Sequence, residues 1–347
     1  MRKTKYSSYC LNDIAEGCKF CVRGRKLVLF ISGICSRNCY YCSLSDTRKN
    51  KDVIWANERK ITSTKELIEE AKASNSKGAG ITGGDPLLFL SRTIEYARAM
   101  KNKFGKNFHI HIYLPTKLVT RENLKKLSEY IDEVRFHPEF LINKNSIEKD
   151  IEKIRLAGLF WDKPDIGIEL PLLPDKKKEI LNFILKVKEN IGFVNFNELE
   201  LSETNINNLK YKLKEGGYII SGSKEAGIWI LRELEKAKIK LAVHLCTAEL
   251  KDWFQYKNRL LLHEILPFGK RTEDGTVIYY AIYANNKKQF KKLIKQFKNK
   301  GYIDNKKMRI ILSNKAAKEL IKENKFKVER IEEYPTYDGA EVMREEI

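Results

Sequence analysis

The chain has 347 residues, 42% of them hydrophobic and 32% charged, which is enough apolar material for a sizeable core and argues against intrinsic disorder. Lys and Arg number 66 against 46 Asp and Glu, a formal charge of +20 that favours polyanionic partners but also suits a lysine-rich, heat-adapted chain. No run of about 18 apolar residues occurs and the charged N-terminus leads into no apolar stretch, so neither a membrane span nor a signal peptide is expected, and the location read from this is cytoplasmic.

Residues 1–25 form a Cys-containing N-terminal extension. From Lys26 the chain alternates short β-rich runs with longer helical ones. Strands are expected at 26–32, 80–82, 108–113, 133–136, 166–170, 193–201 and 240–246. Helices are expected between them at 63–72, where Ser63 or Thr64 can cap, and at 90–105, 120–130, 146–157, 175–190 and 223–238. Repeated βα units imply parallel strands with right-handed crossovers, so residues 26–266 are read as a partial (open) βα barrel of the α/β class.

The character changes after Pro267. A strand over 276–283 is followed by a helix over 287–300 with Phe290, Leu293, Ile294 and Phe297 on one stripe, seven lysines and no acid. Further strands are expected near 308–312 and 326–331, so residues 267–347 form a small basic α/β appendage. Its lysine face is either a solvated cover over the packed stripe or a surface that contacts RNA.

Six of the seven cysteines fall within the first 42 residues, and in a reducing compartment such thiols are read as metal ligands before disulfides. Directly after the first barrel strand comes Gly33-Ile-Cys35-Ser-Arg-Asn-Cys39-Tyr-Tyr-Cys42. Three thiolates on one short loop can converge on one iron–sulfur cluster, and three ligands leave one iron open for a substrate or cofactor. Structural zinc is the alternative, but it prefers four ligands in paired C-x2-C arms.

This loop resembles the hallmark of the radical S-adenosylmethionine (radical SAM) superfamily, in which an aromatic residue, here Tyr41, precedes the last cysteine. A second element of that family is similar to Ile81-Thr-Gly83-Gly84-Asp85-Pro86, with Asp in place of the usual Glu. The resemblance implies a [4Fe-4S] cluster on Cys35, Cys39 and Cys42. It also implies S-adenosylmethionine on the open iron, its ammonium end received by Gly83, Gly84 and Asp85, with Tyr41 near the adenine. One electron from a low-potential donor would then cleave the sulfonium, and a 5′-deoxyadenosyl radical would abstract hydrogen from the substrate. His137, Glu169, Glu200 and Glu203 are expected to face the same cavity, as ligands of the cofactor or as satisfied polar groups.

Cys10, Cys18 and Cys21, with Cys246 or His244, are expected to form a second metal site, either zinc or an auxiliary iron–sulfur cluster. Otherwise Cys10 and Cys246 are small buried hydrophobes. The segments Gly33–Ser45, Leu199–Asn205 and Val243–Cys246 resemble an archaeal radical SAM group related to pyruvate formate-lyase-activating enzyme. The extra cysteines and the appendage depart from such activases. The substrate is therefore left open among a glycyl-radical enzyme, another protein and RNA. The rival reading is a non-catalytic nucleic-acid-binding protein stapled by zinc.

Overall fold

Seven parallel strands carry the main sheet of the protein, and each presents two chemically different faces. The computed structural model describes every residue except Gly216 and Lys298. In chain order the elements are β1 (Arg2–Lys3), β2 (Tyr9–Leu11), α1 (Glu16–Cys21), β3 (Lys26–Phe30), β4 (Ile54–Ala56), β5 (Arg59–Ile61), α2 (Thr64–Ala73) and β6 (Gly78–Thr82). Then follow α3 (Leu90–Phe104), β7 (His109–Pro115), α4 (Arg121–Ser128), β8 (Glu133–His137), α5 (Ile147–Ala157), β9 (Ile166–Leu172), α6 (Lys177–Val187) and β10 (Phe193–Glu198). After α7 (Ser223–Lys236) and β11 (Ala242–Cys246), a short α8 (Ala248–Leu250) runs into a π-helical turn, Lys251–Tyr256.

The sheet order is β1-β2-β11-β10-β9-β8-β7-β6-β3-β4-β5, an open partial barrel that begins and ends on antiparallel edge hairpins. Its centre, β3 with β6 to β11, is parallel throughout. The N-terminal extension is therefore not separate, since β2 pairs with β11.

On β7, Ile110, Ile112 and Leu114 are fully buried in the core shared with the helices, as are Val134 and Phe136 on β8 and Val194 and Phe196 on β10. Truncating one of the larger side chains, such as Phe136→Ala, costs about 3–5 kcal/mol. The alternate residues, His111, Tyr113, Arg135, His137, Glu169, Asn195, Asn197 and His244, are polar and line a cavity of about 480 Å³. Parallel strands are usually apolar on both faces, so this alternation marks an interior built to hold something.

Helix α1 closes the N-terminal end of that interior. The Gly17 N–H donates to Glu133 Oε2 at 2.8 Å. A Cβ at Gly17 would come within 2.5 Å of His111 Nδ1 and 2.8 Å of Arg135 Nη2, so only glycine lets the helix settle there.

The protein divides into two units, Met1–Lys72 with Ser76–Tyr256, and Ala73–Asn75 with Lys257–Ile347. The boundary thus falls at the π-helical turn, ahead of the compositional change at Pro267. The second unit holds α9 (Lys257–Leu262), β12 (Lys270–Arg271), β13 (Val277–Tyr283), α10 (Lys287–Phe297), β14 (Gly301–Asp304), β15 (Arg309–Leu312), α11 (Asn314–Glu323), β16 (Glu329–Glu333) and β17 (Glu341–Glu346). From β13 to β16 it is a βαββαβ unit with antiparallel order β14-β15-β13-β16-β17. Phe290, Leu293 and Phe297 of α10 are buried against Ile282, Ile310 and Leu312, while Lys287, Lys288, Lys291, Lys292 and Lys295 are exposed. Lys298, the remainder of that expected lysine face short of Lys300, lies outside the described residues.

Candidate active site

The loop after β3 carries Cys35, Cys39 and Cys42, all free thiols that line the cavity. The loop is fixed from three directions. Thr204 Oγ1 donates to the carbonyls of Cys42 (3.1 Å) and Leu44 (2.5 Å). Asn205 Nδ2 donates to the Tyr41 carbonyl at 3.4 Å, and Lys117 Nζ to the Ser36 carbonyl at 3.0 Å. Burial pushes the Cys35 and Cys39 thiols up, opposed at Cys39 by the charge of Arg37. The Nε and Nη1 atoms of Arg37 are buried without a hydrogen-bond partner and its side chain lines the cavity, which leaves donors of a cation available beside the three thiols.

The Gly83-Gly84 turn at the end of β6 docks on this same loop. Gly84 N donates to Ser32 O at 2.7 Å and Asp85 N to Ile34 O at 3.0 Å. A Cβ at Gly84 would lie 2.2 Å from Ile34 O, and one at Gly83 2.5 Å from Ser32 O, where φ is also +148°. The glycines thus bring two backbone segments together beside the cavity, which both of them line.

Asp85 departs from the expected ligand position. Its carboxyl is buried, accepts from Ser36 Oγ at 2.5 Å and from Leu87 N at 3.0 Å, and does not line the cavity. It ties the turn to the cysteine loop and caps the 3-10 turn Pro86–Phe89. Burial raises its pKa despite these donors.

Tyr41 is buried on the cavity wall, with its hydroxyl 3.1 Å from His137 Nε2. His137 Nδ1 donates to the Glu169 carbonyl at 2.9 Å, so Nε2 accepts from Tyr41 and the ring is neutral, in keeping with burial holding its pKa down at about 3. Glu169 is a satisfied group: Oε2 takes Arg135 Nη1 at 2.9 Å, and Oε1 takes Asn195 Nδ2 and Asn197 Nδ2, each at 2.7 Å. Glu200 lines the cavity and pairs with Lys251 at 2.6 Å. Glu203 does not; it accepts from Asp46 N at 3.1 Å outside the lining, because the tight 202–205 turn faces the cysteine loop.

The four-ligand second site expected at Cys10, Cys18, Cys21 and Cys246 is not assembled. Cys10 lies outside the cavity lining with Arg2 Nε on its sulfur at 3.3 Å, held there by the β1–β2 hairpin. His244 has both nitrogens taken, by Asn195 Oδ1 at 2.7 Å and Ser8 Oγ at 3.0 Å. Among the described residues no three His, Cys, Asp or Glu side chains are gathered for one metal ion. This holds for Cys35, Cys39 and Cys42 too; in a cluster the thiolates bind separate iron atoms rather than one ion.

Sequence reasoning missed the inner-face groups Lys26, His111, Arg135, Asn195, Asn197 and Lys251. For all but Lys251, which lies in the π-helical turn, the signal was present as polar residues on strands that should be apolar on both faces.

A family model of the Radical SAM superfamily matches residues 29–159, and one of a domain of unknown function (DUF8061) matches residues 275–347. A protein of Methanocaldococcus jannaschii, provisionally named as a glycyl-radical enzyme activating enzyme, is 38% identical over 364 residues, spanning 98% of this chain and 94% of its own length. The chain belongs to the radical SAM superfamily. Two solved structures show a weaker similarity. Coproporphyrinogen III oxidase of Escherichia coli, described as a radical SAM enzyme, aligns with 12% identity and a TM-score of 0.40, over 67% of this chain and 60% of its own. A radical SAM methyltransferase of Kitasatospora setae with cobalamin and a [4Fe-4S] cluster bound gives 13% and 0.37, over 72% and 54%. The chain thus spans less than two thirds of either solved protein.

As a member of this superfamily the protein is an enzyme that uses a [4Fe-4S] cluster and S-adenosylmethionine. The non-catalytic, zinc-stapled reading falls with that membership. Among the described residues no helix is long and apolar enough to cross a membrane.

Proposed function

We propose that Cys35, Cys39 and Cys42 hold the [4Fe-4S] cluster of this radical SAM enzyme, and that S-adenosylmethionine lies between them and the Gly83-Gly84 backbone. Arg37, Tyr41 and His137 complete that wall of the cavity. The donor set fits: three thiols, no fourth protein ligand on the loop, and an unpartnered guanidinium beside them. When bound, cluster and S-adenosylmethionine together supply hydrogen abstraction by a 5′-deoxyadenosyl radical. The residues of the chain orient and protect. Neutral His137 holds the Tyr41 hydroxyl, Thr204 and Asn205 fix the cysteine loop, and α1 closes the lower end so that access is from the mouth.

The substrate we favour is a protein, a glycine residue of a partner enzyme, with a low-potential protein as electron donor. What supports this is the similarity to the provisionally named activating enzyme, which extends over 98% of this chain and so takes in the C-terminal unit. That unit is therefore no departure from this group. RNA is the second reading, supported by the five exposed lysines of α10, with no acidic residue on that helix. Binding of RNA would weaken steeply with salt, whereas a flat response contradicts it.

The observation that carries the proposal is the meeting of the three thiols and the Gly83-Gly84 turn on one cavity closed from below. Anaerobic protein given dithionite and S-adenosylmethionine should release 5′-deoxyadenosine, and Cys39→Ala should abolish it. Release that survives in that variant would refute the assignment.

A further inference from the structure

Three of the four remaining cysteines are not consumed by the site described above, yet they line the same cavity. Cys18 and Cys21 lie on α1, Cys246 ends β11, and none of the three is in a disulfide. Helix α1 packs on β3, β6 and β7 at the closed end of the cavity, while β11 stands at the far end of the parallel run from β3, so the group faces the cavity from its closed end and from β11.

Buried free cysteines are often small hydrophobes, and each of these has an apolar grip: Cys18 on Ala15 and Phe193, Cys246 on Val22 and Leu250. Their sulfurs, however, meet polar groups. Arg135 Nη2 donates to Cys18 Sγ at 3.3 Å, and Gln255 Nε2 to Cys246 Sγ at 3.7 Å. N–H donors aimed at sulfur, one of them a guanidinium, are the kind of hydrogen bond that stabilises metal-bound thiolates. One more atom at the floor lacks a partner: His111 Nδ1, buried on the cavity wall against Gly17 of α1. The thiols also interact electrostatically, Cys246 with both Cys18 and Cys21.

We propose that Cys18, Cys21 and Cys246 hold a second iron–sulfur cluster between α1 and the end of β11. A cluster is chosen over zinc because the group supplies three thiols, whereas structural zinc takes four closed ligands. Cys10 and His244 take no part, being engaged by Arg2 and by Asn195 with Ser8. Three thiolates leave one corner of a four-iron cluster open to the cavity, where solvent or a donor atom of the substrate completes it.

The test is metal content of the full chain, reconstituted anaerobically. Wild type should hold about eight irons and eight sulfides, falling to about four in Cys18→Ser/Cys21→Ser and to about four in Cys35→Ala/Cys39→Ala/Cys42→Ala. The latter variant should still give the Mössbauer doublet of a four-iron cluster, which separates this proposal from the first site. Cys246→Ser, which leaves α1 untouched, should lose the same irons with an unchanged urea midpoint of the metal-free chain. A wild type with about four irons, a triad variant that binds only zinc or nothing, or a Cys18–Cys21 disulfide in the reconstituted protein would each overturn it.

Discussion

Two arginines are fully enclosed in this protein, one in each unit, and they are satisfied in the same way. Arg135 pairs with Glu133 at 2.5 Å and Glu169 at 2.9 Å and lies over the rings of Tyr113 and Phe193. Arg309 pairs with Asp304 and Glu333, each at 2.7 Å, and lies over Tyr279 and Tyr283. The difference is in what adjoins them. Arg135 borders a cavity and touches the Cys18 sulfur, whereas Arg309 is sealed against the sheet of the second unit. Burial with complete pairing is thus a structural solution available to any fold, since an unpaired buried charge is costly. A site is marked instead by groups left open beside such pairs, here the thiols and Arg37.

The largest effect that sharpens this contrast is at the mouth. Replacing Cys35, Cys39 and Cys42 by Ala should reduce 5′-deoxyadenosine release to background while the far-UV circular dichroism is unchanged. Next come the arginines. Arg135→Met and Arg309→Met each remove the guanidinium partner of two buried carboxylates and should each cost about 3–5 kcal/mol in urea unfolding. Only Arg135→Met should also lower iron content; equal iron loss in both variants would break the contrast.

An acid effect follows from the neutral imidazoles. Burial holds His137 and His244 down at about 3, so the unfolded chain takes up these protons below about pH 6.5 and the folded one does not. Their contribution to stability is therefore whole above 6.5 and drains as pH falls toward 3. His244→Asn should flatten the fall in urea midpoint between pH 7 and pH 5; an undiminished slope would show that His244 is not held neutral. The smallest effect is at the clamp. Thr204→Val removes two hydrogen bonds to the cysteine loop, costs about 1–2 kcal/mol and should speed iron loss to a chelator. An unchanged rate would mean the loop is held elsewhere.

Much of this architecture could be read in advance because each strand and helix of the barrel carries its own period, and the observed bounds of β7, β9, α3 and α5 lie within a few residues of those expected. The cysteine spacing was equally local. Asp85, Glu203 and Cys10 were not legible in the same way. Their side chains are aimed by partners distant in sequence or across a turn: Ser36 for Asp85, Asp46 for Glu203, Arg2 for Cys10. The polar inner face was written plainly in His109-Ile-His-Ile-Tyr113 and Glu133-Val-Arg-Phe-His137, but alternation shows only that a strand has two faces. That the polar face turns inward follows from the curl of the open sheet. In the second unit β14 and β17 went unread because short segments with little apolar periodicity are ordered mainly by their neighbours, whereas α11 does carry a legible stripe of Ala316, Ala317 and Leu320.

The electron paramagnetic resonance spectrum of the dithionite-reduced protein, recorded with and without S-adenosylmethionine, addresses the open iron at Cys35, Cys39 and Cys42 most directly. A reduced four-iron signal whose g-values move when S-adenosylmethionine is added is the predicted result. A signal indifferent to the addition would contradict the account.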